Sequence, residues 1–412
     1  MQQQTKNKMK KSMTVFLFSS FVVFLSIKYF DFLAAFTWSV WIFSVIVEQQ
    51  DRCFFRNPFL AKLFTTIEES QLDKASKIPA TPVKIIEAKD YSLRALEVLS
   101  NSWTQPVIVR GLFNEAPALK KWTNPDYLIS RTFGKSTVSV IHNGTIAKHY
   151  DMVCGTPSDA ETFSEYKEFD RTIRNIANGS IETIVFPPAS RSKRIREREV
   201  EEKWNEMVKE DIDLSKIGSM FDQQARSTIL TQMFLGGGVS PDSAEKAPVI
   251  GTGWHGDICN NFVVQISGVK KWVMIDPKYS KYLRPVMRAG KTAIVGAHLS
   301  IETDTLPYLP HHEFLLYPGD MLYNPEWYWH SIHNLPEGPY AFGLVSRQCH
   351  LVRNFRQSFL FTSLVIANHA KAMIFDVEAR MRIMGLLFGT SLMRPEEGVN
   401  VAAQNEVRGG YT

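Results

Sequence analysis

Cysteine is scarce in this chain. There are four in 412 residues, Cys53, Cys154, Cys259 and Cys349, and no two have Cys-x-x-Cys spacing. That argues against a zinc ribbon or a thioredoxin-like motif, and in so long a chain an even count leaves the redox compartment open. A basic stripe interleaved with aromatics is also missing. The net charge of +5 gathers near the N-terminus and around residues 191–198, so no nucleic-acid partner is expected. Gly236-Gly237-Gly238 lacks the spacing and the Lys-Ser/Thr of a phosphate loop and reads as a turn. What is present excludes global disorder, since 44% hydrophobic and 12% aromatic residues suffice for a packed core. The length allows two domains, or one large domain with attachments.

The N-terminal region is the most apolar. Lys6, Lys8, Lys10 and Lys11 precede an apolar run from Met13 to Ile27; Lys28 and Asp31 interrupt it, and Phe32 to Val47 is apolar again. A spanning helix needs about 20 apolar residues, so each half is short and the whole is long for one span. Either one span is flanked by an interfacial segment, or a tight hairpin puts Lys28 and Asp31 at the headgroups. The lysines place the N-terminus on the cytoplasmic side. A cleaved signal peptide is the competing reading, weakened because apolar character resumes past Asp31. Residues 1–48 are therefore expected to be a cytoplasmic tail with membrane anchor, contacting the bilayer through residues 13–47 and placing the protein in the endomembrane system. Asn143-Gly144-Thr145 and Asn178-Gly179-Ser180 fit the N-glycosylation pattern, which also occurs by chance, and leave open which side the rest faces.

Residues 49–80 read as a connector. The domain over 81–350 begins with the strand-like Val83–Ile86, followed by helical spacing in Ser92–Trp103, a buried strand in Gln105–Gly111, helical character in Leu119–Phe133 and a strand at Thr137–Ile141. Thr162 and Glu165 have the spacing of a capping box and predict a helix start. Arg191–Lys216 is densely charged and reads as a solvated helix or surface insertion. Ile229–Leu235 is a strand. From Pro248 to Gln348 short strands crowd together: Phe262–Ile266, Lys271–Ile275, Thr292–Val295, Glu313–Tyr317, Met321–Asn324 and Ala341–Val345. That density predicts an antiparallel sandwich or barrel, a mainly β fold with flanking helices. Residues 351–412 read as helices and a tail, the helices packing on the barrel or pairing two subunits as a homodimer.

Chemistry concentrates at Thr252-Gly253-Trp254-His255-Gly256-Asp257. Two residues apart on a strand, His255 and Asp257 project from one face and can take adjacent corners of a metal's coordination shell. A second imidazole completes the 2-His-1-carboxylate set of non-haem Fe(II) oxygenases, and His330 is the best candidate. The competing histidines fit less well: His311-His312 lies in a Pro-rich loop, and His298 and His333 lack a framing strand. Ser267-Gly268 reads as a hairpin turn that sets the next strand beside the metal strand, so that Lys270 points into the same cavity. A buried lysine there needs an anion such as a dicarboxylate; a lysine on the rim, in solvent, is the alternative. Trp254, Trp327 and Tyr328 either line the substrate side or pack the barrel.

These segments resemble the JmjC/cupin-type Fe(II)- and 2-oxoglutarate-dependent oxygenases, especially small protein hydroxylases similar to the asparaginyl hydroxylase that modifies hypoxia-inducible factor. The family pattern T-x-x-H-x-D, N, Q-I-x-G-x-K is met by Thr252, His255, Asp257, Asn261, Gln265-Ile266, Gly268 and Lys270. The later P-G-D-x-L-Y-x-P…W-H is met by Pro318 to His330, and Gln105–Gly111, Trp122 and Tyr127-Leu128 are similar to upstream segments. The resemblance implies a double-stranded β-helix (jelly roll) with Fe(II) on His255, Asp257 and His330. Lys270 would pair with the distal carboxylate of 2-oxoglutarate, assisted by Thr252 and Asn261. The implied reaction consumes 2-oxoglutarate and dioxygen, releases succinate and CO2, and hydroxylates a C–H bond, with a protein as the expected substrate. N-methyl demethylation would use the same core; a non-catalytic cupin-fold scaffold, or a metal cupin independent of 2-oxoglutarate, are the readings from other classes. Arg191–Lys216 and Ser240–Val249 look like insertions, and the family's upstream tyrosine for 2-oxoglutarate has no evident counterpart.

Overall fold

A computed structural model of the chain describes residues 77–133, 137–141, 165–180, 183–186, 195–218, 230–237, 251–283, 294–296, 305–335, 337–338, 340–348, 351–358 and Thr362. In chain order, β1 (Lys84–Glu87), α1 (Leu93–Leu99) and β2 (Val107–Arg110) come first, then the short helices α2 (Ala118–Lys121) and α3 (Pro125–Leu128). β3 (Thr137–Ile141), β4 (Glu165–Glu168), α4 (Phe169–Ala177), β5 (Thr183–Phe186), α5 (Ile195–Asp211) and α6 (Ser215–Gly218) follow. The next strands are β6 (Leu230–Gly236), β7 (Gly251–Asp257), β8 (Asn260–Ser267), β9 (Lys270–Ile275) and β10 (Ile294–Gly296). Last come β11 (His311–Leu316), β12 (Met321–Asn324), β13 (Trp329–Asn334), β14 (Ala341–Gln348) and α7 (Leu351–Gln357).

The strands form two sheets. One is nine-stranded, ordered β1-β2-β12-β8-β14-β6-β5-β3-β4, and the other five-stranded, ordered β10-β7-β13-β9-β11. Apart from the parallel β1–β2 pair, neighbours are antiparallel. From β7 to β9, and again from β12 to β14, the chain changes sheet at every turn, as a jelly roll does. The expected mainly β fold with flanking helices is what the chain adopts.

Strand β8 is buried along its whole length because it faces two cores. Val263 packs between the sheets with Ile108, Trp272, Met274, Leu316, Leu322 and Val345. Phe262, Val264 and Ile266 point the other way, into a layer that includes Trp122, Ile173, Ile176 and Trp204 from the helical segments. Local signals set the helix starts: Ser92 accepts from the Ala95 N–H at 3.1 Å to cap α1, and Asn124 caps α3 with Pro125 following.

Several expectations are corrected. Of the helix start predicted from the Thr162/Glu165 spacing, Thr162 lies outside the described residues and Glu165 begins strand β4, paired with β3; α4 begins at Phe169, so sheet pairing overrides a local capping pattern. Helix α5 is not simply a solvated face. Trp204, Met207, Val208 and Asp211 recur at helical spacing and are buried, with the Trp204 indole donating to the Thr231 carbonyl at 3.1 Å. Asp211 accepts from Lys121, from the Trp122 indole and from the Tyr127 hydroxyl at 2.6–2.7 Å. Burial alone would raise its pKa, but these donors outweigh burial and hold it below the usual carboxylate value. Ser267-Gly268 does not close a hairpin: β8 and β9 lie in different sheets, and the neighbours of β9 are β13 and β11.

Among the described residues no helix is long and apolar enough to cross a membrane. The anchor expected over residues 13–47, the insertion Ser240–Val249, Asn143, His298 and the C-terminal residues past 358 other than Thr362 lie outside the described residues.

Candidate metal centre

β7 and β13 are neighbours in the five-stranded sheet, and their register sets His330 directly opposite His255. Directly opposed residues share a face, and the two rings lie 4.1 Å apart, centroid to centroid, at 54°. Asp257, two positions along β7, joins them. One ligand atom from each of His255, Asp257 and His330 lies within 4.8 Å of the others. The expected triad is assembled.

Each imidazole is oriented for metal binding. His255 Nδ1 is 2.7 Å from the Gly253 carbonyl and His330 Nδ1 is 2.9 Å from the Tyr328 carbonyl. A carbonyl only accepts, so both Nδ1 atoms carry a proton, and Nε2 is the atom of each ring that could serve as a metal ligand. Asn261 donates to Asp257 Oδ2 at 3.0 Å, and Trp272 stacks on His330 with centroids 5.5 Å apart. Two imidazoles held at Nδ1 and one carboxylate held by an amide form a donor set that suits iron(II).

β7 carries an irregularity with a consequence. Its register with β13 runs His330↔His255 and then Ile332↔Thr252, three residues on β7 against two on β13. Strict alternation would turn Thr252 away from His255; the extra residue returns it to the ligand face. Thr252 Oγ1 is buried there without a hydrogen-bond partner among the described residues.

Lys270 reaches the same interior by another route than the predicted hairpin. On β9, Lys270, Trp272 and Met274 stand opposite Asn334, Ile332 and His330 of β13, which puts Lys270 on the face of His330. Its side chain crosses toward the nine-stranded sheet, where Nζ donates to the Phe234 carbonyl at 2.9 Å. Lys270 is 4% exposed, and burial lowers its pKa to about 7. Around it, Gln265 Oε1 and both polar atoms of Asn334 are buried without partners among the described residues. A Cβ on Gly343 would lie 3.5 Å from Lys270 Nζ and 3.6 Å from Gln265 Oε1, so the glycine leaves room where ammonium and amide converge. Sequence reasoning missed Asn334, although its place four residues past His330 on one strand was a usable signal.

The turn that delivers His330 is locally strained. Trp327 has φ +60, and its N–H donates to the Asp257 carbonyl at 2.7 Å. A Cβ on Gly256 would approach the Trp327 carbonyl oxygen to 3.1 Å, so a small residue lets the turn sit against the ligand strand. Within the same turn Glu326 is fully buried, and burial raises its pKa to about 7.

The aromatic candidates part company. Trp327 donates its indole N–H to Thr362 Oγ1 at 2.9 Å, and Tyr328 donates to Gln105 Oε1 at 3.1 Å. Trp254 is 3% exposed, with an indole N–H that has no partner among the described residues. The tandem His311-His312 begins β11 rather than lying in a loop, and its Nδ1 atoms meet the carbonyls of Leu309 and Thr81. His333 is framed by β13, three residues from His330 and so on the opposite face.

Residues 100–358, well over half of the 412, match the family model of a cupin-like domain. No curated protein matches the chain.

Proposed function

Because the chain belongs to the cupin-like domain family, we propose that it is an Fe(II)- and 2-oxoglutarate-dependent dioxygenase that hydroxylates a side chain of a protein substrate. The observation that carries this reading is the buried Lys270 ammonium on the triad's face, with a carbonyl as its protein partner. A buried cation is costly without an anion, and a dicarboxylate cosubstrate fits the need. The Thr252 hydroxyl, the Gln265 amide oxygen and the Asn334 amide, each without a partner among the described residues, fit a polar ligand in the same space.

His255, Asp257 and His330 would hold the iron. Iron with 2-oxoglutarate and dioxygen supplies the oxidant that hydroxylates a C–H bond, with release of succinate and CO2. The chain's own residues bind, orient and exclude water. Lys270 pairs with the distal carboxylate, Thr252 donates a hydroxyl to the bound cosubstrate, and Asn261 fixes the Asp257 carboxylate. The apolar wall of Val263, Met274, Leu322 and Val345 keeps bulk water from the interior. Residues 13–47 would tether this domain to a membrane, and helices within 351–412 would pair two copies.

The test is thermal unfolding of the full chain with Mn(II) standing in for Fe(II), with and without 2-oxoglutarate. A ligand specific to the folded state raises its stability, by about 2.7 kcal/mol at a hundredfold excess over Kd. Metal and cosubstrate together should raise Tm in the wild type, only weakly in Lys270→Ala, and not in Asp257→Ala. A well-folded wild type that responds to neither ligand sinks the oxygenase reading and favours a scaffold protein. An N-methyl demethylase would pass this test and is told apart by formaldehyde release.

A further inference from the structure

The described part of the chain bears two marks that belong to an oxidising, glycosylating compartment. Cys259 is disulfide-bonded. It lies two residues past Asp257, in the turn between β7 and β8, and is 7% exposed. Its partner is one of Cys53, Cys154 and Cys349. The register of β8 with β14 discriminates among them: Ser346, Arg347 and Gln348 face Phe262, Asn261 and Asn260. In the sequence Cys349 directly follows the last residue of β14, as Cys259 directly precedes the first residue of β8.

The second mark lies on a different element. Asn178 is the exposed C-cap of α4, followed by Gly179 at φ +95 and by Ser180. A Cβ placed on Gly179 would meet nothing within 4 Å, so the acceptor tripeptide sits on an open surface turn with room for a glycan.

We infer that the catalytic domain faces the lumen of the secretory system, with Cys259 linked to Cys349 and an N-linked glycan on Asn178. Cytosolic thiols are kept reduced, so a structural disulfide beside the metal strand requires an oxidising compartment. The two thiols lose two protons and two electrons to a lumenal protein disulfide, which leaves as a dithiol. At Asn178 the amide nitrogen replaces pyrophosphate at the anomeric carbon of a polyprenyl-pyrophosphate-linked oligosaccharide. The amide loses one proton and polyprenyl pyrophosphate departs. The link also staples the rim beside Asp257 to the chain just before α7.

Full-length protein expressed in eukaryotic cells tests this. Microsomes are treated with protease and with endoglycosidase, and unreduced protein is digested and mapped by mass spectrometry. The domain should be protected in sealed microsomes, and the glycosidase should increase its mobility by a step that Asn178→Gln removes. Ser180→Ala should remove the same step, which controls for misfolding of the first variant. A Cys259–Cys349 peptide should appear and vanish on reduction. Protease digestion in sealed microsomes, or an Asn178 that carries no glycan, overturns the lumenal assignment. A Cys259 that alkylates without reductant, or that is linked to Cys53 or Cys154, overturns the pairing.

Discussion

The side-chain amide of Asn261 donates to Oδ2 of Asp257 at 3.0 Å, a bond between the nine-stranded and the five-stranded sheet. It fixes the orientation of the carboxylate beside the two imidazoles. Partners of this kind typically change metal affinity 10–100-fold when removed. Asn261→Ala should therefore weaken Mn(II) binding by about that factor, whereas Asp257→Ala abolishes it. Titration of both variants by calorimetry checks the ranking, and an Asn261→Ala affinity equal to wild type would show that the bond does not tune the ligand.

Lys270 makes the site sensitive to pH. Burial lowers its pKa to about 7, so an anion that needs the ammonium must bind less tightly above that value. Cosubstrate affinity should fall about tenfold per pH unit above about 7 and level off below. The effect on stability has its own sign. An unfolded lysine keeps its proton to about pH 10.4, so between about 7 and 10.4 the unfolded chain binds more protons and the contribution of Lys270 to stability rises with pH. In apo protein, the Tm difference between wild type and Lys270→Met should shift in favour of wild type across that window. A difference that stays flat would mean the lysine is solvated.

Gly268 controls where Lys270 begins. Its φ is +62, and an added Cβ would lie 2.8 Å from the carbonyl oxygens of both Glu337 and Tyr340. Backbone atoms cannot yield as a side-chain tip can, so Gly268→Ala should cost on the order of 2 kcal/mol or more. Cosubstrate affinity should fall with it, because β9 starts two residues on. Chemical denaturation gives the first number and a 2-oxoglutarate titration the second; a neutral substitution would contradict the geometry.

Asp211 anchors α5 to the helices that follow β2. Asp211→Ala strands the buried indole N–H of Trp122 and should cost on the order of 3 kcal/mol. Its folded pKa lies below the unfolded value, so its contribution is complete above the unfolded pKa and is lost as pH falls through the folded one. Wild type should lose more stability than the variant on acidification below about pH 4. Parallel acid-denaturation curves for the two proteins would contradict this role.

The metal triad was legible because its chemistry is local. His255 and Asp257 share a strand face at a spacing of two, and His330 follows a turn marked in the sequence by Pro325 and the aromatic Trp327 and Tyr328. Asn334 was missed although its spacing from His330 pointed to it, because a neutral amide carries no charge that marks it as a site residue. Helix α5 was misread because Trp204, Met207 and Val208 are few among charges, and only the packing partner tells whether a sparse stripe is enough.

Sequence by itself determined most of the strands, their alternation, the candidate ligand types and the family pattern, since these depend on residue type and short spacing. Tertiary structure alone decided which strands are neighbours. It sent Ser267-Gly268 between sheets rather than around a hairpin, so that Lys270 reaches the triad's face through β13 and not beside β7. It also placed the irregularity in β7 that turns Thr252 inward. Register is a property of two strands at once, set by which apolar faces can be buried together.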